Sequence, residues 1–239
     1  MFFRALLDLF FPPLCHVCRA FIPDAGELFI CAGCLEKIPF LVSPLCTACG
    51  APFATEAGQD HTCGACLSHA PFHICRSATV LAGPAQELIH RFKYGGRVHL
   101  CQPLGLLTAT ALAPFRAEAA PDLIVPVPLH RKRLRQRGYN QSQLVGAVLE
   151  KQWRVPQEVG NLRRLRWTEP QTSLDATDRA KNVRGAFAVR DAKRLAGKRV
   201  LLVDDVLTTG STMRACVEAL REAKVAAVFA VTVARGVQR

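Results

Sequence analysis

Four C-x-x-C pairs occupy the first 66 residues of this 239-residue chain: Cys15/Cys18, Cys31/Cys34, Cys46/Cys49 and Cys63/Cys66. Twelve residues separate the first two pairs and thirteen the last two. A C-x-x-C turn sets two thiolates on one side of a metal ion, and a second such turn completes a tetrahedron. Eight ligands at this spacing predict two Cys₄ Zn²⁺ sites, paired either in sequence order or cross-braced, first pair with third and second with fourth. Saturated sites leave no position for a reactive water, so the zinc is expected to be structural and to fold a segment too small for its own core. Redox dithiol chemistry also uses C-x-x-C, but four regularly spaced pairs favour metal. His16, His61 and His69 are surplus to a full ligand set. Cys75, Cys101 and Cys216 fall outside the pattern and read as small buried hydrophobes.

The apolar start, Met1 to Leu14, carries Asp8 mid-way, Arg4 as its one basic residue and Pro12-Pro13 at its end. No small-residue cleavage site follows before the cysteines. It reads as a short amphipathic helix packed on the protein rather than a signal peptide. No apolar run reaches the length that spans a bilayer. The expected location is the cytoplasm, or the inner face of the membrane, without stable insertion.

Charge divides the chain. Residues 1–75 carry 3 Lys/Arg and 6 Asp/Glu, whereas residues 76–239 carry 28 and 13. A one-sided excess of this size points to a polyanionic partner, either the phosphates of a small ligand or nucleic acid. The texture changes at the same place, which divides the chain into a cysteine-rich module over 1–72 and a second domain over 73–239. In the latter, strands are predicted at Ser77–Ala82, Asp122–Val127, Gly185–Val189, Arg199–Val203 and Ala226–Ala234, and helices at Pro84–Tyr94, Leu100–Leu112, Asn140–Gln152 and Ser211–Ala223. This alternation predicts a mainly parallel sheet covered on both faces, with ligands at the carboxyl ends of its strands.

The segment Val200-Leu-Leu-Val-Asp204-Asp205-Val206-Leu207-Thr208-Thr209-Gly210-Ser211-Thr212 ends a buried strand in two acids and enters a helix through a Thr/Gly/Ser loop. Backbone N–H groups at a helix start, helped by hydroxyls, make an anion site. Two carboxylates beside that cradle would repel phosphate but suit hydroxyls, a metal ion or developing positive charge. A sugar phosphate satisfies both halves. A second strand end, Val125-Pro-Val-Pro128, leads into a loop in which Arg131, Lys132, Arg133, Arg135 and Arg137 crowd into seven residues. Between them, residues 171–187 are polar and aperiodic and read as a closing flap, with Arg179 and Asn182 its contact residues. Tyr94, Tyr139, Trp153 and Trp167 form no recognisable stacking motif and read as core.

The acid-pair segment resembles the phosphoribosyl pyrophosphate (PRPP) motif of type I phosphoribosyltransferases. That resemblance assigns Asp204 and Asp205 to the ribose hydroxyls, Val206 to Thr212 to the 5′-phosphate, and the basic loop to pyrophosphate or a DNA backbone, with Mg²⁺ accompanying PRPP. Purine-salvage members place an Asp three positions after the second acid. Thr208 stands there instead, as in orotate-type enzymes, so a 6-oxopurine acceptor is not expected and the loop offers no general base. The C-x-x-C repeats together with F-K-Y-x-G, V-P-V-P-L, R-x-R-G-Y-N-Q, P-Q-T-x-L, R-x-x-N-V-x-G-A-F and V-D-D-V-x-T-T-G-S-T resemble the ComF/ComFC (GntX-like) family over nearly the whole chain. The resemblance implies a double zinc ribbon on a type I phosphoribosyltransferase domain and brings Lys93 to the ligand's phosphates. It also implies a role in natural transformation: handling incoming single-stranded DNA beside other competence proteins such as a helicase or a DNA-processing protein. Three functions remain open here: a PRPP-dependent transferase, a PRPP-binding module, and a single-stranded DNA handler.

Overall fold

The computed structural model describes residues 12–23, 25–55, 58–68, 73–167 and 185–237. Four parallel strands form the main sheet: β1 (Ile74–Val80), β2 (Leu123–Pro126), β5 (Arg199–Leu207) and β6 (Ala227–Arg235), in the order β1-β6-β5-β2. Strands β3 (Leu162–Arg164) and β4 (Phe187–Val189) form a separate antiparallel pair. The helices are α1 (Ala32–Leu35), α2 (Gly64–Ser68), α3 (Gly83–Tyr94), α4 (Cys101–Ala111), α5 (Ala113–Ala119), α6 (Arg131–Arg137), α7 (Gln141–Trp153) and α8 (Ser211–Glu222).

Residues 200–203 of β5 and 227–231 of β6 form unbroken apolar runs because both of their faces are covered. Leu201 and Val203 of β5 face a core shared with α3, α4, α5 and α7. Val200 and Leu202 face another core, shared with α8 and the β3–β4 pair. The approach of α4 to α7 requires Gly105, where a Cβ would come within 2.5 Å of Val148 Cβ. Among the described residues no single helix is long and apolar enough to cross a membrane.

Both edges of the sheet are covered, which removes the unpaired ladder that invites a foreign strand. On β2, Ile124 N–H donates to Pro156 O at 2.9 Å and Ile124 O accepts from Glu158 N–H at 2.8 Å. On β1 the cover is the segment between the two cysteine ribbons: Leu41 N–H donates to Ala78 O and Val80 N–H to Pro39 O. The ribbons thereby reach opposite faces. Cys15, Ile30, Cys34 and Ile38 join the α3/α4/α7 core, whereas Cys46 and Cys49 join the α8 core.

Sequence expectation and structure differ in places. The basic segment 131–137 is a helix, not a loop: His130 Nδ1 accepts from Lys132 N–H at its start, and Gly138, at φ 82°, ends it. Strand β5 runs past Val203 to Leu207, so the acid pair lies within the strand rather than after it. Strand β4 belongs to the small sheet, because residues 187–189 pair with β3, a three-residue strand too short to be read from periodicity. Arg179, Asn182, His69 and most of the N-terminal helix expected over 1–14 lie outside the described residues.

Candidate functional site

The pairing of β2 with β5 brings the two site-bearing segments together. Pro126 sits opposite Val203, and Val127 N–H donates to Val203 O at 2.9 Å. The chain beyond β2 therefore leaves the sheet beside Asp204. Ligands in open parallel sheets bind at such carboxyl ends.

The two acids alternate across the sheet and so meet different neighbours. Asp205, 7% exposed, pairs with Lys93 Nζ at 2.9 Å. Asp204 Oδ1 accepts from Ser142 Oγ at 2.8 Å and from Asp205 N–H at 2.9 Å. Burial of its carboxyl and then the charge of Asp205 push the Asp204 pKa up to about 7, against the opposing pull of Ser142 and Lys93. Asp204 and Asp205 together form an acidic pair able to accept from ligand hydroxyls or to face a cation.

Beyond the acids, Leu207 ends the strand and Gly210, at φ 74°, turns the chain into α8. A Cβ at Gly210 would meet nothing closer than Leu207 Cδ1 at 3.6 Å, so the demand there is for left-handed backbone rather than for space within the protein. No side chain caps α8. No backbone carbonyl among the described residues accepts from the N–H groups of Thr208, Thr209 or Gly210. Thr209 Oγ1 and Ser211 Oγ lie 3.0 Å apart. A twelve-residue helix that opens on amides without backbone partners among the described residues, beside two hydroxyls, offers donors that suit an anion, and the axial dipole favours negative charge there.

The frame around the site comes from Tyr139, Asn140 and Ser142, whose roles were not read from sequence. Tyr139 OH donates to Phe92 O, next to Lys93. Asn140 caps α7 through Oδ1 and donates from Nδ2 to Val127 O at 3.0 Å. The signal was present as Asn-x-Ser at a helix start one loop after a buried strand. Gln141 is 1% exposed and takes the Arg137 guanidinium at 2.8 Å.

The basic cluster divides by contact. Lys132 Nζ and the Arg133 guanidinium lie 5.0 and 5.9 Å from the centre of the Trp167 ring, which His130 meets edge-on. Arg137 stacks 5.3 Å over Tyr94. Arg131 and Arg135 are exposed and have no side-chain partner among the described residues. Trp153 and Tyr139 pack inside as expected, but Tyr94 is 69% exposed. A cavity of about 740 Å³ lies beside the cluster, walled by Pro128, Leu129, Arg131, Asn140, Leu162 and Arg163 among others.

The cysteines gather as Cys15, Cys18, Cys31 and Cys34, and as Cys46, Cys49, Cys63 and Cys66, each set with its sulfurs within 4.8 Å of one another. The pairing is sequential, not cross-braced. The donor set fits Zn²⁺: burial raises the Cys15 and Cys46 thiols, but backbone N–H groups aimed at each sulfur outweigh it and bring both to about 6. Val17 and Cys31 N–H approach Cys15 Sγ at 3.4 Å, and Cys49 and Cys63 N–H approach Cys46 Sγ at 3.4 and 3.3 Å. Such N–H···S bonds stabilise thiolate, the form that binds metal. Cys75 and Cys216 are fully buried, and burial pushes the Cys75 thiol up to about 12.

Comparison with known proteins agrees with both halves. Residues 6–67 match the double zinc ribbon domain and residues 113–239 the phosphoribosyl transferase domain. The chain is 32% identical to Competence protein F of Haemophilus influenzae over 217 residues, 89% of this chain and 93% of that protein. It is 32% identical to DNA utilization protein YhgH of Escherichia coli K12, over 84% of this chain and 88% of that protein. It is 26% identical to Competence protein ComFC of Bacillus subtilis, over 86% and 84%.

Proposed function

Since the chain belongs to the family of Competence protein F, YhgH and ComFC, a double zinc ribbon joined to a phosphoribosyltransferase domain, we propose that it binds PRPP at the β5–α8 crevice and handles single-stranded DNA during natural transformation. The observation that carries the PRPP reading is the uncapped start of α8 one short loop beyond the strand that holds Asp204 and Asp205. Phosphate fits the amides and hydroxyls of Val206 to Thr212, and the ribose hydroxyls fit the acids. Asp204 Oδ2 makes no hydrogen bond among the described residues, which leaves a carboxylate oxygen for a hydroxyl or for Mg²⁺. Mg²⁺ binds through one or two carboxylates plus substrate phosphates and would neutralise pyrophosphate charge there. Lys93, already paired with Asp205, sets the charge of the acid pair and shares it with the ligand. Arg131 and Arg135 are the cations left for pyrophosphate or for a DNA backbone. Arg179 and Asn182 are proposed to close over the ligand.

The names of the relatives, competence and DNA utilization proteins, support a role in competence; the place proposed for it is the cytoplasmic side, where incoming single strands would meet other competence proteins. Replacing Arg131, Lys132, Arg133, Arg135 and Arg137 with neutral residues tests this. Single-stranded DNA affinity is expected to fall and its salt dependence to flatten, because fewer counterions are released. Unchanged affinity and an unchanged slope would remove α6 from DNA binding.

The cavity beside α6 favours a second reading, transfer of ribose 5-phosphate to an acceptor seated there. Its Arg131 and Arg163 lining suits an anionic acceptor. A screen of acidic acceptors for pyrophosphate release decides it: release that depends on both acceptor and Asp204 supports transfer, and none across the screen leaves binding alone.

A further inference from the structure

The two ribbons share a knuckle turn and fill one position of it differently. The residue after the second cysteine of each leading knuckle donates its N–H back to the first cysteine: Gly50 to Cys46 O at 2.9 Å, and Arg19 to Cys15 O at 3.0 Å. Both sit in the left-handed region, Gly50 at φ 66° and Arg19 at φ 65°. The turn asks for glycine, which occupies this region without strain, and the second ribbon supplies it. The first ribbon places arginine there against its backbone preference. An unfavourable backbone state held at a surface turn points to a use for the side chain.

That side chain borders a cavity of about 510 Å³ between the first ribbon and the start of α4. This volume lies within the roughly 300–1,000 Å³ typical of small-ligand sites. Arg97 and His99 reach it from the α/β domain, and His16 and Phe29 from the ribbon. The His16 ring lies 5.1 Å from His99 and 5.6 Å from Phe29, centre to centre. Its backbone is fixed on both sides, N–H to Phe29 O at 2.8 Å and O accepting from Arg91 at 2.6 Å, so the ring wall is preset. No carboxylate is among the described residues lining the cavity, and neither Arg19 nor Arg97 has an ion pair among the described residues. Two guanidiniums beside flat rings combine the two requirements of a nucleotide: a planar group to stack and a phosphate to pair.

We propose that this cavity is a binding site for a nucleotide unit, its base against the His16/His99/Phe29 wall and its phosphate on Arg19 and Arg97. The shared chemistry covers a free mononucleotide and one residue of a single strand. None of its lining residues is among those assigned to the PRPP crevice.

Arg19→Gly is the informative variant, since it restores the residue the turn prefers and leaves the fold intact. Binding of thymidine 5′-monophosphate, inorganic phosphate and a twelve-residue oligothymidylate to the zinc-loaded full chain is measured by calorimetry or anisotropy, alongside PRPP. Arg19→Gly and Arg97→Gln are each expected to weaken the nucleotide probe at least about tenfold, with an unfolding midpoint for Arg19→Gly at or above wild type and PRPP affinity unchanged. A mononucleotide that binds as tightly as the oligomer identifies the free nucleotide as the source. A tighter oligomer whose salt slope drops in Arg19→Gly identifies the strand. Wild-type nucleotide affinity in both variants would overturn the proposal. So would inorganic phosphate binding as tightly as the nucleotide, or an equal loss of PRPP, which would return the phosphate to the crevice.

Discussion

The first and second ribbons share a four-cysteine plan but not an attachment. The second is tied into the sheet. Arg235 of β6 donates to Cys49 O at 2.8 Å, Arg76 of β1 donates to Cys46 O and Thr47 O, and Cys75 N–H donates to Ala48 O at 2.7 Å. The first also buries cysteine against the core, yet among the described residues its polar tie to the domain is the Arg91 bond to His16 O, and an open cavity separates part of it from the domain. Zinc supplies local order in both. What surrounds the knuckle decides whether that order serves the sheet or a site.

Ligand loss offers the largest test of this contrast. A structural zinc is worth about 10–16 kcal/mol, comparable with the roughly 5–15 kcal/mol that holds a whole domain folded. Cys46→Ser is expected to remove slow hydrogen exchange from β1 and β6 together with the second ribbon. Cys31→Ser is expected to disorder the first ribbon while β2 and β5 keep their protection. Equal loss of protection across the sheet in both variants would break the comparison. Metal analysis of the native protein should return about two zinc ions per chain.

A glycine pair sharpens it. Gly50 holds φ 66°, and a Cβ there would lie 2.6 Å from Cys75 O. Gly50→Ala is therefore expected to cost about 2–4 kcal/mol. Gly33, in the first ribbon's helix α1, has nothing within 4 Å of that position, and Gly33→Ala is expected to stabilise by about 0.4–1 kcal/mol. Urea unfolding of the two variants reads the opposite signs directly.

The arginine ties should rank the same way. Arg235→Gln removes a guanidinium bond to Cys49 O and is expected to cost about 1–3 kcal/mol. Arg91→Gln, across the first ribbon's tie, is expected to cost about 0.5–1.5 kcal/mol. A reversed order in denaturant melts would show that the first ribbon is the firmer attachment.

The smallest effect concerns Asp204. With its pKa raised from 3.8 to about 7, the folded chain keeps a proton that the unfolded chain has released. Stability therefore falls as pH rises through that interval. Asp204→Asn, which keeps an oxygen for Ser142, is expected to raise the melting temperature by roughly 2–4 °C at pH 8 and to leave it unchanged near pH 4. An equal shift at both pH values would mean that charge is not the cause.

Much of this was legible in the sequence, because the signals were local. The zinc ligands follow from C-x-x-C spacing, and the placing of the acid pair and the Thr/Gly/Ser loop between a strand and a helix from one continuous run of residues. What escaped was fixed by tertiary packing. Whether pairs bind sequentially or cross-braced depends on how the ribbons fold back, and spacing of 12 and 13 residues allows both. The helical state of residues 131–137 depends on His130 as cap and on Trp167 as a surface for Lys132 and Arg133, which lies more than thirty residues away. Ser142 becomes a partner of Asp204 only because β2 and β5 are neighbours. The cavity cations Arg19 and Arg97 come from different parts of the fold and share no motif.

The central claim is a PRPP site built on Asp204, Asp205 and the start of α8, and calorimetric titration of PRPP with Mg²⁺ tests it most directly. Wild type is expected to bind with one site per chain. Asp204→Ala with Asp205→Ala, shown folded by circular dichroism and still holding zinc, is expected to bind at least about tenfold more weakly, since charge-assisted bonds to two ribose hydroxyls are lost. Equal affinity in wild type and the double variant, or no heat of PRPP binding in the wild-type protein, would contradict the account.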